Sequence, residues 1–201
     1  MHKSWQRLAA TAGLLVTLGQ AHAANLSYTF DTDAQGFGVS GASMTSTGGS
    51  LSLRDIDDSD FVVIFPTADL GDWSRFSGGT FSFDAVNLNG ASTDWLTFGT
   101  LRIESGSLVV ERDLVPQAAP TANWATYSAT LDAATWGPVL GNVTRVTLML
   151  ESHQGWDNSS GFELNGLDNV RVSAVPEPGA ASLAMLGGAI AGLVAWRRRA
   201  R

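Results

Sequence analysis

The sequence has no cysteine. That excludes thiol catalysis, thiolate zinc centres and disulfide bracing, so the fold rests on its core or on bound ions. Lysine is nearly as scarce: Lys3 is the only one. Between residues 24 and 174 the only bases are Arg54, Arg75, Arg102, Arg112, Arg145 and Arg171, against eighteen acids, a net charge of −12. Nucleic acid and anionic membrane surfaces need cationic patches, so neither is an expected partner. Histidine is reduced to His153 in this stretch. A Ser-His-Asp triad would have to use it. A histidine-based zinc site, which takes two or three imidazoles, is nearly excluded. His153 reads as a loop histidine at a strand end.

Long apolar runs are confined to the two ends. Near the start, His2, Lys3 and Arg7 precede an apolar stretch from Leu8 to Gly19, and Ala21-His22-Ala23 offers an A-x-A cleavage site. This is the pattern of a cleaved signal peptide over residues 1–23, too short to hold a membrane as a helix. At the other end, Gly179 to Trp196 gives 18 residues without charge, followed by Arg197, Arg198 and Arg199. At 1.5 Å per helical residue the run reaches about 27 Å, close to a hydrocarbon core of about 30 Å. The arginines act as a stop and stay cytoplasmic. A transmembrane helix is therefore expected within 175–201, after an exported body at 24–174.

The tail has three parts in fixed order: Pro176-Glu177-Pro178, the glycine- and alanine-rich span, and Arg197-Arg198-Arg199. It resembles the PEP-CTERM sorting signal of Gram-negative bacteria. The resemblance implies processing by an exosortase and delivery to the cell surface or extracellular matrix, with only transient anchoring in the inner membrane. Pro176, Glu177 and Pro178 would then be a motif read by another enzyme.

The body reads as all-β. Short alternating runs recur between Gly, Asn, Asp and Ser clusters. They include Leu26–Phe30, Leu51–Arg54, Phe61–Phe65, Thr80–Val86, Trp95–Phe98, Leu101–Glu104, Leu108–Arg112, Trp124–Leu131, Val143–Glu151, Phe162–Leu164 and Val170–Val172. Ser105-Gly106-Ser107 suits a hairpin turn, and residues 132–140 have room for one short helical turn, limited by Gly137 and Pro138. About ten strands without an amphipathic helix predict a β-sandwich.

Phe65-Pro66, Leu70-Gly71-Asp72, Gly78-Gly79, Pro120 with Trp124 and Tyr127, Leu131 with Trp136, and Gly166-Leu167-Asp168-Asn169-Val170 follow one another in the order of the laminin B (laminin domain IV) pattern. The segment resembles that family over roughly residues 50–172. The resemblance implies a jelly-roll sandwich of the galactose-binding-like kind and a non-catalytic extracellular module.

Three residue groups invite a ligand. Asp55-Ile56-Asp57-Asp58-Ser59-Asp60 has the spacing of an oxygen-ligand cation loop but lacks the glycine and distal glutamate of an EF-hand; it also reads as a polar turn. Asp31 and Asp33 after the first strand, with Asp168 in the last, would meet if the terminal strands pair, and structural calcium there is a second candidate. The tryptophans are the third group. Trp95 and Trp124 lie in alternating runs and read as core, whereas Trp73 and Trp156 lie in polar loops and read as stacking platforms for sugar rings. The expected function is a binding or structural module whose partner is extracellular polysaccharide or another surface protein. The alternative is a secreted polysaccharide-active hydrolase, which needs two carboxyls about 5–10 Å apart in a groove.

Overall fold

The alternation of large apolar and small polar residues builds two antiparallel sheets. The computed structural model describes residues 25–57, 59–91, 93–115, 119–153 and 163–175. In chain order the strands are β1 (Asn25–Tyr28), β2 (Gly38–Ser40), β3 (Ala42–Thr47), β4 (Ser50–Asp55), β5 (Val62–Ile64), β6 (Thr80–Asn87), β7 (Thr100–Ser105), β8 (Leu108–Asp113), β9 (Ala125–Thr130), β10 (Arg145–Met149) and β11 (Leu164–Ser173). Among the described residues one α-helix, α1 (Ala133–Leu140), lies between β9 and β10. The six-stranded sheet runs β3-β4-β11-β6-β9, with β1 also on β11; the five-stranded sheet runs β2-β5-β10-β7-β8.

Strand β11 organises the larger sheet. Its first half, Leu164 to Leu167, pairs with β4, and its second half, Val170 to Ser173, pairs with β1. Its other edge pairs with β6 along its length, interrupted by a register shift between Asp168 and Arg171. Asn169 sits in that shift with φ 48, a left-handed conformation that asparagine tolerates better than most residues. The expectation that the terminal strands pair is met by β1 on β11.

Burial follows the period of two. Leu51, Leu53, Phe81, Phe83, Ala85, Leu167, Val170 and Val172 of the larger sheet face Val63, Leu101, Ile103, Val146 and Leu148 of the smaller, all at 0% exposure. Tyr28, Phe37, Phe65, Trp73 and Phe76 extend this core as a chain of rings with centroids 4.8–6.3 Å apart, mostly edge-to-face. Each such pair adds about 0.5–1.5 kcal/mol beyond its buried area. Gly79 is required by contact: a Cβ there would lie 1.9 Å from the Ser173 carbonyl oxygen. Helix α1 starts at Asp132, whose Oδ1 accepts from Thr135 N at 2.9 Å, and buries Trp136, Val139 and Leu140.

Three expectations are corrected. Residues 42–47 form an edge strand, β3, and 38–40 form β2. Neither shows in the sequence because both carry small or polar side chains on an exposed face. Residues 95–98 are not a strand but a turn-rich segment laid against the smaller sheet. The run expected at 170–172 and Leu164, the last residue of the run expected at 162–164, belong to the single strand β11. Among the described residues no helix is long and apolar enough to cross a membrane. The expected transmembrane span, the sorting motif Pro176-Glu177-Pro178, the arginine cluster and the signal peptide lie outside the described residues.

Candidate functional site

The outward side chains of the five-stranded sheet form the floor of a cleft. Val63, Leu101, Val146 and Leu148 point into the core, so Val62, Thr100, Arg102, Thr147 and Met149 point out. The segment 91–99 leaves β6 and covers part of this face. It is fastened at both ends: Asn87 Nδ2 donates to Ala91 O at 2.7 Å, Trp95 N to Ser152 O at 3.0 Å, and Gly99 N to Met149 O at 2.8 Å. His153 Nδ1 lies 2.9 Å from Asp94 Oδ1. Between cover and floor is a cavity of about 300 Å³ lined by Asp60, Val62, Trp95, Thr97, Thr100, Arg102, Glu111, Thr147 and Met149. That volume is at the small end of ligand sites, which run from about 300 to 1,000 Å³.

The lining mixes one aromatic, two aliphatic and several hydrogen-bonding groups. Trp95 is half-buried, and its Nε1 is buried with no hydrogen-bond partner among the described residues. An indole N–H without a partner is unusual, since removing a donor from water without compensation costs about 1–3 kcal/mol. Arg102 is held in place by Glu104 Oε1 at 2.9 Å and Glu111 Oε2 at 3.2 Å. The guanidinium keeps free N–H groups, since it has five donors.

Behind one end of the cleft lies a cluster of buried acids, of which sequence reasoning singled out Asp55 but not Glu151 or Glu163. Glu151 and Glu163 are 5% and 3% exposed, and Asp55 is buried beside them. Glu151 Oε2 accepts from Phe61 N at 3.1 Å, and its carboxyl hydrogen-bonds the side chain of Asp60, a cleft residue. Glu163 accepts from Ser152 N and His153 N at 2.8 and 2.6 Å and from Asn165 Nδ2 at 2.9 Å. Burial pushes Glu151 up to about 7 and Glu163 up to about 8, and neighbouring carboxylates add to both. No local signal ties Glu151 and Glu163 to Asp55 and Asp60; the four come from separate strand ends.

The positions singled out from the sequence fare unequally. Trp73 is a correction: it is 1% exposed, stacked edge-on against Phe65 and Phe76, with Nε1 donating to Asp69 O at 2.7 Å. Its Asp/Gly-rich neighbours turn the chain inward there, so the ring belongs to the core. Trp124 is the converse, 47% exposed. Trp156 lies outside the described residues. Asp57 closes its own turn, accepting from Ser59 N at 2.8 Å and from Ser59 Oγ. Those bonds hold its carboxyl below the usual range. Asp33 Oδ1 accepts from Gln35 N at 2.7 Å and Asp31 Oδ2 from Thr29 Oγ1 at 2.6 Å. Asp168, the cross-strand partner of Asp84, is raised first by burial and then by the charges of Asp84 and Asp31. Among the described residues no group of three or more acids or histidines is arranged to hold a metal ion.

Residues 174–199 match the PEP-CTERM protein-sorting motif. The chain carries a PEP-CTERM sorting signal. That motif marks an exported protein handled by an exosortase, with its C-terminal segment as a transient membrane anchor. No curated protein matches the sequence. In structure the body is similar to the L4b domain of human laminin alpha-2, at TM-score 0.56 and 6% identity, over 75% of this chain and 97% of that one. It is also similar to part of an exo-beta-agarase, at TM-score 0.53 and 13% identity, over 78% of this chain but only 26% of the agarase. A family 29 carbohydrate binding module aligns at TM-score 0.45 and 14% identity, over 76% of this chain and 92% of that one. At these identities the first two likenesses show a shared β-sandwich fold. The body that precedes the PEP-CTERM signal is therefore a two-sheet β-sandwich, as its alternating runs predict.

Proposed function

We propose that this PEP-CTERM protein is a non-catalytic polysaccharide-binding module of the cell surface or matrix, and that the cleft on the five-stranded sheet takes the saccharide. The observation that carries the reading is Trp95. Trp95 lines the cavity, and its Nε1 is a buried donor with no hydrogen-bond partner among the described residues. A sugar offers apolar C–H faces for the ring and hydroxyl oxygens for the N–H. Arg102, Thr97 and Thr100 supply further donors, and Asp60 and Glu111 supply acceptors. The strongly acidic body favours a neutral chain over a polyanion.

The hydrolase alternative needs one free acid and one free base. Asp60 and Glu111 are the two carboxyls of the cleft, but Asp60 is hydrogen-bonded to Glu151 and Glu111 is paired with Arg102. Neither stands ready as half of a catalytic pair. A surface protein as partner is the other alternative, and it would leave the cleft empty of sugar.

The test is affinity gel electrophoresis of the full-length protein in mild detergent through neutral polysaccharide. Trp95→Ala removes stacking and one donor, together about 2 kcal/mol, or roughly thirtyfold in affinity. Retardation should fall accordingly while the melting temperature holds. Unchanged retardation, or release of reducing ends by the wild type, contradicts the proposal.

A further inference from the structure

The outer face of the six-stranded sheet bears an arrangement unrelated to the cleft. Phe81, Phe83 and Ala85 face the core, so Ser82, Asp84 and Val86 of β6 face out, as do Thr126 of β9 and Gly166 and Asp168 of β11. Trp124, next to Ala125 at the start of β9, extends across this face. A Cβ built on Gly166 would meet Trp124 Cη2 at 2.8 Å, Cζ2 at 3.2 Å and Val86 Cγ1 at 2.6 Å. The indole therefore rests across two strands, on a shelf that exists because residue 166 is glycine. Its underside covers Val86, which is 4% exposed, while the ring itself remains 47% exposed. An aromatic ring fixed against a sheet with its other side in water is a stacking surface.

Two residues along the same strands, about 7 Å away, lies an ordered polar rim. Asp84 and Asp168 are cross-strand partners. Asn169 Nδ2 donates to both, at 2.9 Å to Asp84 Oδ2 and 3.1 Å to Asp168 Oδ2. Arg171 donates to Asn169 Oδ1 at 3.1 Å, and Thr126 Oγ1 donates to Asp84 Oδ1 at 2.6 Å. Each carboxylate oxygen can accept a second bond. Asn169 reaches this position through its left-handed backbone at the bulge of β11.

We propose that this face holds a second saccharide-binding site, with the Trp124 indole as platform and Asp84, Asp168 and Thr126 as the hydrogen-bonding rim. The ligand is a neutral sugar chain, whose C–H face lies on the indole and whose hydroxyls donate to the two carboxylates. The paired acids repel polyanions. The site rests on the saccharide reading of the cleft only for its ligand class. Because the two sites lie on opposite sheets, one molecule joins two polysaccharide strands.

The test uses the full-length protein in mild detergent with three probes: galactomannan, hydroxyethylcellulose and agarose. Trp124→Leu keeps an apolar cover over Val86 and Gly166 but removes the π-face. Trp124→Tyr keeps a ring. Wild type should be retarded by at least one probe and should raise its turbidity by cross-linking. Trp124→Leu should lose about tenfold or more in apparent affinity as avidity is lost, and should not cross-link; Trp124→Tyr should retain both. Trp95→Ala should also bind without cross-linking, and the double variant should not bind. If Trp95→Ala abolishes binding and Trp124→Leu behaves as wild type, the second site is wrong and the cleft stands. If only Trp124→Leu matters, the cleft reading is wrong. Wild type unretarded by all three probes overturns both.

Discussion

Raising the pH from 5 to 8.5 should destabilise the module, and Glu151→Gln should remove part of the effect. In the unfolded chain Glu151 ionises near 4.5, whereas in the folded state burial holds it neutral up to about 7. Between those values the unfolded chain has lost a proton that the folded one keeps, so stability falls as pH rises. The contribution is fully present below about 4.5 and gone above about 7. At roughly 1.4 kcal/mol per pH unit, Glu151 alone supplies at most about 2–3 kcal/mol, less what solvent screening removes. Glu163, held neutral up to about 8, acts in the same direction from about 4.5 to 8, so its window overlaps that of Glu151 and extends beyond it. The two carboxyls are neighbours, so their effects do not simply add. The acids held low by hydrogen bonds, Asp57, Asp72 and Asp132, lose their contributions only below about pH 4 and do not interfere. The side-chain amide introduced by Glu151→Gln would accept from Phe61 N and donate to Asp60, as the protonated acid does. Urea unfolding of residues 24–174, followed by tryptophan fluorescence at pH 5, 7 and 8.5, measures the slope. Wild-type stability that is flat or rising over this range, or an unchanged slope in Glu151→Gln, would refute the reasoning.

Trp73→Ala should cost about 3–5 kcal/mol as a core truncation, lowering the melting temperature without changing saccharide affinity of the folded fraction. Glu177→Ala should block removal of the tail, read as the mass of the mature protein in a host with its exosortase; normal processing would contradict the sorting role. A calcium ion bridging Asp31 and Asp168, our proposal for relieving their repulsion, predicts a melting temperature several degrees higher in millimolar calcium than in chelator. The rise should be absent in Asp168→Ala, and a melt indifferent to calcium removes the ion from the account.

The parts of this fold that were legible are those where one strand face is buried. Thr80–Val86 alternates because Phe81, Phe83 and Ala85 all enter the core, and the β7–β8 hairpin is marked by Gly106 with φ 61 at its turn. Strand β3 was not legible, because as an edge strand it buries only Ala42. Tryptophan placement was harder still. Trp73 sits in a polar segment that folds inward, while Trp124 sits in an alternating run on its outward phase. Only the phase relative to Tyr127, together with Gly166 two strands away, distinguishes platform from core. Glu151 and Glu163 escaped for a related reason: they are brought to Asp55 and Asp60 by strand ends that are remote in sequence. The sorting tail was legible because it is a linear signal, read along the chain by another enzyme and independent of folding.

The central claim is that the cleft of the five-stranded sheet binds a saccharide through Trp95. The direct measurement is the indole N–H resonance of Trp95 in nitrogen-15-labelled full-length protein, assigned by its absence from Trp95→Phe, during titration with the polysaccharide that retards the protein most. The account predicts a saturable downfield shift of this resonance as its buried N–H gains an acceptor. A resonance that stays in place while the protein binds the polysaccharide would contradict it.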